Sequence, residues 1–316
     1  MIDVLTVGNG ILDAFLTIQD AHKHCRFDPE THELCVRAGE KILLDGCEFQ
    51  LGGNACNVAV GLSRLGFQTG LMAELADDEF SEKIINGLKK EGVGLAYVQR
   101  KHGQSSFSIG LNFQGERTLF VEHREREHHF TFDEVQTKWI YLTSLGNIWG
   151  HVYKAVGDFK MQSGVKLACN PGSVQLAAGV DTFSYLFPLI DILFLSKSEA
   201  EQIVGKSMER EALLHAISAM GPKIVCLTDG KNGAFALSES GTIFHQDIVP
   251  AHVVEVTGAG DSFAAGFLGA VLAEKTVQEA LLWGVTNAAS VIAQVGSQPG
   301  LLRRDELEGK MKGVSV

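Results

Sequence analysis

The sequence predicts an α/β protein built on a doubly wound, mainly parallel sheet with helices on both faces. Three observations predict it. Short runs rich in β-branched and apolar residues recur along the 316-residue chain, and stretches with helical spacing separate most of them. Glycine closes several of the helical stretches, where a left-handed residue ends a helix at low cost. Two further regions, about 13–50 and 100–126, break the alternation and read as hairpin-like strands that pack together as a small β-structure projecting from the sheet.

The first strand is Asp3–Val7, ended by Gly8. From about Leu12 to Leu51 short alternating stretches such as ELCVRAG read as exposed strands. Asn54–Gly66 follows as a helix, with Val58, Leu62 and Leu65 on one face and Gly66 as its stop. TGLMAELA and EFSEKIINGLKKEGV form a β–α unit closed by Gly92. SSFSIGLNF and RTLFVEHR, joined by Gln114-Gly115-Glu116, read as a hairpin. Strands then return in WIYLTSL, VKLACNPG, DILFLS and KIVCLTDG, with helices such as SEAEQIVG and REALLHAISAMG among them. GAFALSES and TIFHQDIV make another antiparallel pair, and Ser262 to Val295 is largely helical. With no repeat, low-complexity tract or linker, residues 1–316 read as a single domain.

A net charge of −11 argues against a nucleic-acid partner. Cys25, Cys35, Cys47, Cys56, Cys169 and Cys226 form no CxxC pair and read as reduced thiols, several of them buried. The apolar N-terminal stretch carries Asp3 and Asp13 and no basic segment, so it reads as neither a signal peptide nor a membrane span. The expectation is a cytoplasmic protein.

Three glycine-rich pieces compete for a phosphate. VGNGILD begins like GxGxxG, but Asp13 takes the third glycine's place and no obvious helix follows, which excludes a dinucleotide fingerprint. AEQIVGKS ends like a P-loop, yet it follows helical sequence and reads as a helix closed by Gly205. The third, EVTGAGDSFAAGF, offers a β-branched run, a turn of Gly258, Ala259 and Gly260, and a helix that begins at Asp261. Such a turn exposes backbone N–H groups at the positive end of a helix, which suits an anion. Alone, it equally fits an ordinary helix start with an acidic cap. QLGGNACN adds Gly52, Gly53, Asn54 and Asn57 at another helix start, where two asparagines one turn apart suit the hydroxyls of a polar ligand; alone, this fits a turn with an Asn cap.

Together these motifs resemble the signatures of the ribokinase-like (PfkB) carbohydrate kinase family, and the resemblance extends from VLTVGNGILD to TNAASVIAQVGSQPG. It implies a ribokinase-like fold whose regions 13–50 and 100–126 form a β-lid that closes over the acceptor and pairs two subunits in a homodimer. It implies ATP-dependent phosphorylation of a hydroxyl of a small sugar or sugar-like substrate. Asp261 would be the general base, and the amides of Gly258, Ala259 and Gly260 the anion hole. Asp13, Gly53, Asn54 and Asn57 would bind the acceptor. Thr228, Gly230, Gly233, Ser196 and Asn287 would bind the nucleotide. Glu199, kept from the family's NxxE element in which Ser196 replaces the Asn, would orient magnesium through water. Glu255 and Thr257 mark the place of a monovalent cation such as potassium.

The acceptor stays open. Ile11 stands where ribose-specific members carry Asn. A nucleoside would need a clamp such as Phe107, Phe113 or Phe120. A sugar phosphate would need cations, and Arg124, Arg126, His128 and His129 follow the lid, where a mixed-sign run first reads as solvated. A non-catalytic regulator that binds sugar or nucleotide is the remaining alternative.

Overall fold

The alternation of strand and helix closes into one nine-stranded sheet and a smaller four-stranded one. The computed structural model describes residues 1–312 apart from 20, 29, 32, 114, 115 and 123. Its first strands are β1 (Ile2–Val7), β2 (Ile11–Ile18), β3 (Cys25–Asp28), β4 (Glu33–Val36) and β5 (Leu44–Gly52). Next come β6 (Thr69–Ala76), β7 (Gly94–Lys101), β8 (Phe107–Phe113), β9 (Glu116–Glu122) and β10 (Thr137–Leu142). The last are β11 (Lys166–Cys169), β12 (Ile192–Ser196), β13 (Ile224–Thr228), β14 (Ala234–Leu237) and β15 (Ile243–Gln246). The helices begin with α1 (Ala21–His24), α2 (Asn54–Arg64), α3 (Glu79–Lys90), α4 (Gly150–Ser163) and α5 (Ser173–Ala177). They continue with α6 (Lys197–Val204), α7 (Arg210–Ser218), α8 (Ala259–Leu272), α9 (Val277–Val291) and α10 (Arg304–Met311).

The large sheet runs β15-β14-β13-β12-β11-β10-β1-β6-β7. Its strands are parallel from β7 to β13, and β14 and β15 close one edge antiparallel. Both faces are covered, and the side-chain period of two shows it. In β12, Leu193 and Leu195 join the core against α4 and α7, while Ile192 and Phe194 join the core against α8 and α9. In that second layer α8 and α9 pack almost backbone to backbone. A Cβ on Gly266 would lie 2.6 Å from the Trp283 carbonyl, and one on Gly284 would lie 2.6 Å from the Phe263 ring. The small residues of α8 are therefore a packing requirement as much as a feature of the site.

The small sheet runs β5-β2-β8-β9. β2 pairs antiparallel with β5 and parallel with β8, which joins the two irregular regions of the sequence as expected. β8 and β9 form the expected hairpin, although Gln114 and Gly115 lie outside the described residues. β3 and β4 form a separate hairpin. The sequence pattern passed over β7, an edge strand with an irregular start in its pairing to β6.

One expectation fails. The β-branched run before Gly258 is not a strand. β15 ends at Gln246, and the N–H groups of Val254 and Glu255 donate to the Ile292 carbonyl, at 2.8 and 3.1 Å. The run satisfies its backbone on the C-terminal end of α9 rather than on a neighbouring strand. The P-loop-like stretch is a helix end, with Gly205 in the left-handed conformation at φ 79°. VGNGILD leads from β1 straight into β2, so the dinucleotide fingerprint is absent in structure as in sequence.

Candidate active site

The loops that leave the carboxyl ends of β1, β6, β10, β12 and β13 lie along one edge of the sheet. The chain order reverses between β1 and β10, and ligands of open α/β sheets bind at such a crevice. The N-terminus of α8 faces it. Gly258 caps that helix at φ 79°, and a Cβ there would meet the Ser297 Cβ at 2.5 Å. Gly260 differs, because a Cβ on it would meet no atom within 4 Å, and it lines the open space in front of the helix.

Asp261 is the third residue of α8 and only 7% exposed. Asn57 Nδ2 donates to its Oδ2 at 2.8 Å, and Asn54 hydrogen-bonds it as well. Burial raises its carboxyl to about 6; the asparagine bonds oppose that rise, and the nearby charge of Glu199 adds to it. The Asn57 amide is itself held, since its Oδ1 accepts from Ser297 Oγ and Gln298 Nε2, both at 3.0 Å. Asn57 thus orients Asp261, a role that the sequence did not suggest. Ser297 and Gln298 are likewise silent in the sequence, because no local pattern links them to a residue some 240 positions earlier.

Asp13 lies across from Ser108 in the β2–β8 pairing, and Ser108 Oγ donates to its Oδ1. It is buried, and both it and Asp261 act on Cys56 between Asn54 and Asn57. Burial, with these two carboxylates adding to it, pushes the Cys56 thiol up to about 12. The expected acceptor residues therefore converge on one place. Gly53 caps α2 at φ 92°, and a Cβ on it would lie 2.5 Å from the Asn9 carbonyl, so only glycine fits there.

Two pockets meet at the first turn of α8, and Asp261 lines the first of them. One, of about 350 Å³, is lined by Asn54, Asn170, Ser196, Glu199, Gly258 and Asp261 among others. The second, of about 340 Å³, is more apolar and is walled by Val253, Val256, Val285, Ala288, Ala289 and Ile292. Thr228 and Gly260 line both, and Gly230 and Gly233 line the second. Asn287 does not reach it. It is fully buried, donating from Nδ2 to the Ser262 carbonyl at 2.7 Å and accepting the Leu302 N–H at 3.0 Å. Its expected place near an adenosine is corrected to a tie between α8, α9 and the chain before α10, because both polar ends of its side chain are taken by backbone.

Ser196 caps α6, and Glu199 Oε2 accepts the Ser196 N–H at 2.7 Å in a capping box. Among the described residues no group of three or more His, Cys, Asp or Glu gathers as a metal cage. Glu199 and Asp261 nevertheless face one pocket, an oxygen environment suited to magnesium that is held mainly through water and phosphate. The Glu255 carboxylate accepts the Gly296 N–H at 2.9 Å and so anchors the loop before Gly258. Thr257, half-buried beside it, lines neither pocket.

The expected aromatic clamp is not assembled. Phe107 meets the Phe80 ring at 6.0 Å, Phe120 is exposed, and the Phe113 side chain lies outside the described residues. The run after β9 is not uniformly solvated either. His128 is buried and the Arg126 side chain is 12% exposed, while Arg124 and His129 stay near the surface.

A model of the pfkB family of carbohydrate kinases matches residues 22–303. The chain belongs to that family. It is similar to the fructosamine kinase of Bacillus subtilis, with 29% identity over 257 residues, 79% of this chain and 86% of that protein. Fructoselysine 6-kinase of Escherichia coli is 29% identical over 249 residues, 78% of this chain and 91% of that one. The structure of Arabidopsis thaliana ribokinase complexed with ribose and ATP superposes with a TM-score of 0.79 over 99% of each chain, at 21% identity. The carbohydrate kinase thus has a ribokinase-like fold, and no helix of its described residues is long and apolar enough to cross a membrane.

Proposed function

We propose that this kinase transfers the terminal phosphoryl group of ATP to a hydroxyl of a small sugar or sugar-like acceptor. The observation that carries the proposal is the buried Asp261 carboxylate in a polar pocket that meets an apolar one at the N-terminus of α8. The apolar pocket suits an adenine ring. The N–H of Gly260, with the helix dipole, suits the phosphate that is transferred, whereas the Ala259 N–H already donates to the Val256 carbonyl at 3.2 Å. Asp13 and Asn54 hold acceptor hydroxyls on the opposite side, and Gly53 lets the acceptor approach the backbone.

Asp261 takes the proton of the attacking hydroxyl. A carboxyl raised to about 6 is still ionised at neutral pH, yet is basic enough to accept that proton. Phosphoryl transfer asks the protein chiefly for positioning and charge stabilisation, and Asn57 supplies the first by fixing Asp261. When bound, magnesium supplies positive charge against the phosphates, with Glu199 placed to hold its water. The contacts of Glu255 are those of a loop anchor, and no step is assigned to potassium.

We read the small sheet as a lid over the acceptor within one domain. Phe49, Leu119, Phe120 and Val121 stand exposed on it, which favours a dimer formed through this sheet. The relatives named fructosamine kinase and fructoselysine 6-kinase make a sugar with an amino substituent the acceptor to test first. The experiment is magnesium- and ATP-dependent ADP release over sugars, amino-substituted sugars, sugar phosphates and nucleosides. Turnover of one sugar class that Asp261→Asn abolishes supports the proposal. Release on no acceptor, or activity that survives the substitution, contradicts it.

A further inference from the structure

Glu74, at the carboxyl end of β6, holds a buried carboxylate without adequate partners. Its side chain is 4% exposed, and Oε2 has no hydrogen-bond partner among the described residues. Its Oε1 lies 3.9 Å from Arg126 Nη1, beyond hydrogen-bond reach. Arg126 donates from Nη2 to the Gln104 carbonyl and reaches Glu74 only at that distance. His128 is 3% exposed and its Nδ1 also lacks a partner among the described residues. Burial, with the neighbouring cations adding to it, lowers that imidazole to about 4, so it is neutral under ordinary conditions.

An unsatisfied buried carboxylate beside a loosely held guanidinium is costly unless a ligand completes both. These groups border a cavity that also touches Asn9, Gly10 and Ile11 on the way into β2, two residues short of Asp13. The cavity is narrow at Glu74, about 20 Å³, and the room for a substituent is in a wider recess of about 550 Å³ that Glu74 and Arg126 also line, with Lys101, His102, Gln104 and Arg124. A substituent on an acceptor held by Asp13 has an outlet here. Arg124 is already paired with Glu122 at 2.5 Å, so the anion seat falls to Arg126.

We propose that this pocket binds an amino-acid substituent of the acceptor, its ammonium on Glu74 and its carboxylate on Arg126. The inference rests on the sugar-kinase reading and deepens it, because it names a zwitterionic sugar conjugate as the substrate class. Glu74 needs a donor and Arg126 an acceptor, and a zwitterion brings both with no net charge. A phosphate would complete Arg126 but would be repelled by Glu74. A bare sugar offers hydroxyls but no charge to match either ion.

The test is calorimetric binding to the Asp261→Asn protein, where no turnover interferes. The probes are fructose, fructose carried on the ε-nitrogen of lysine, and fructose carried on butylamine, which lacks the amino-acid group. The expected result is that the lysine conjugate binds roughly 30-fold or more tightly than either other probe, the size of a buried charge contact. Glu74→Gln and Arg126→Gln, each checked by its melting curve, should remove that preference. Equal binding of the three probes overturns the proposal and needs no variant, and a preference that survives both substitutions overturns it as well. Failure of the native protein to phosphorylate any acceptor would instead sink the kinase reading, and the comparison of probes would still decide this one.

Discussion

The two sides of the site are built from different materials. The side assigned to the nucleotide is made of backbone and small residues, with Gly258, Ala259 and Gly260 at the helix start and valines and alanines on the wall. The side assigned to the acceptor is made of side chains from separate elements: Asp13 on β2, Ser108 on β8, Glu74 on β6, and Arg126 and His128 beyond β9. A backbone cradle serves any member of a family that uses one donor. Side chains on independent strands can change one at a time, so the acceptor can differ while the donor side stays constant.

The sharpest way to break this comparison is at its junction. Asp261→Asn should lower kcat by roughly 10²–10⁴-fold, the usual weight of a general base. The same change should stabilise the protein. Because the folded carboxyl lies near 6 and an unfolded one near 4, its contribution to stability is complete below pH 4 and lost as pH rises through 6. The melting temperature of Asp261→Asn should therefore exceed that of the parent at pH 8, and the gap should close at pH 4; an equal gap at both would reject the burial argument.

On the donor side, Gly260→Val fills the one open position in the turn and should raise the KM for ATP by about tenfold or more, a loss of at least 1.4 kcal/mol. A larger effect on the acceptor's KM would contradict the division of the site. At the hinge between the two sides, Asn57→Ala removes a hydrogen bond that favours the ionised form of Asp261. The acid limb of kcat/KM should then move to higher pH than in the parent, measured with the same substrates; an unmoved limb would mean that Asn57 does not tune Asp261. The smallest effect on catalysis is expected at Asn287. Its replacement by Ala strands the Leu302 N–H and should cost about 1–3 kcal/mol in denaturant unfolding. The KM for ATP should stay as it was, whereas a large rise would restore Asn287 to the nucleotide site.

The same contrast explains what could be read in the sequence. The helix start at Gly258–Asp261 and the GGN turn are contiguous, and their glycines answer local demands on φ and space, so VTGAGDSF and GGNACN were legible. The parallel sheet was legible for a related reason, since buried strands such as Ile192–Ser196 carry apolar residues on both faces. The side chains of the acceptor pocket were not. Arg126 and His128 sit in a mixed-sign run that reads as solvated, and only the fold brings them against Glu74. Asn287 failed in the opposite direction, because a motif position cannot show that both ends of an amide are already bound to backbone. The run before Gly258 reads as a strand in the sequence and is none in the fold, because β-branched residues report a preference for extended backbone, not whether a strand is there to pair with it.

The central claim is that Asp261 acts in the chemical step rather than in binding. It is tested most directly by measuring kcat together with the affinities for ATP and acceptor, in the parent and in Asp261→Asn at pH 8. The account predicts a fall of roughly 10²–10⁴-fold in kcat with both affinities largely kept. A kcat that is retained while an affinity collapses would contradict it.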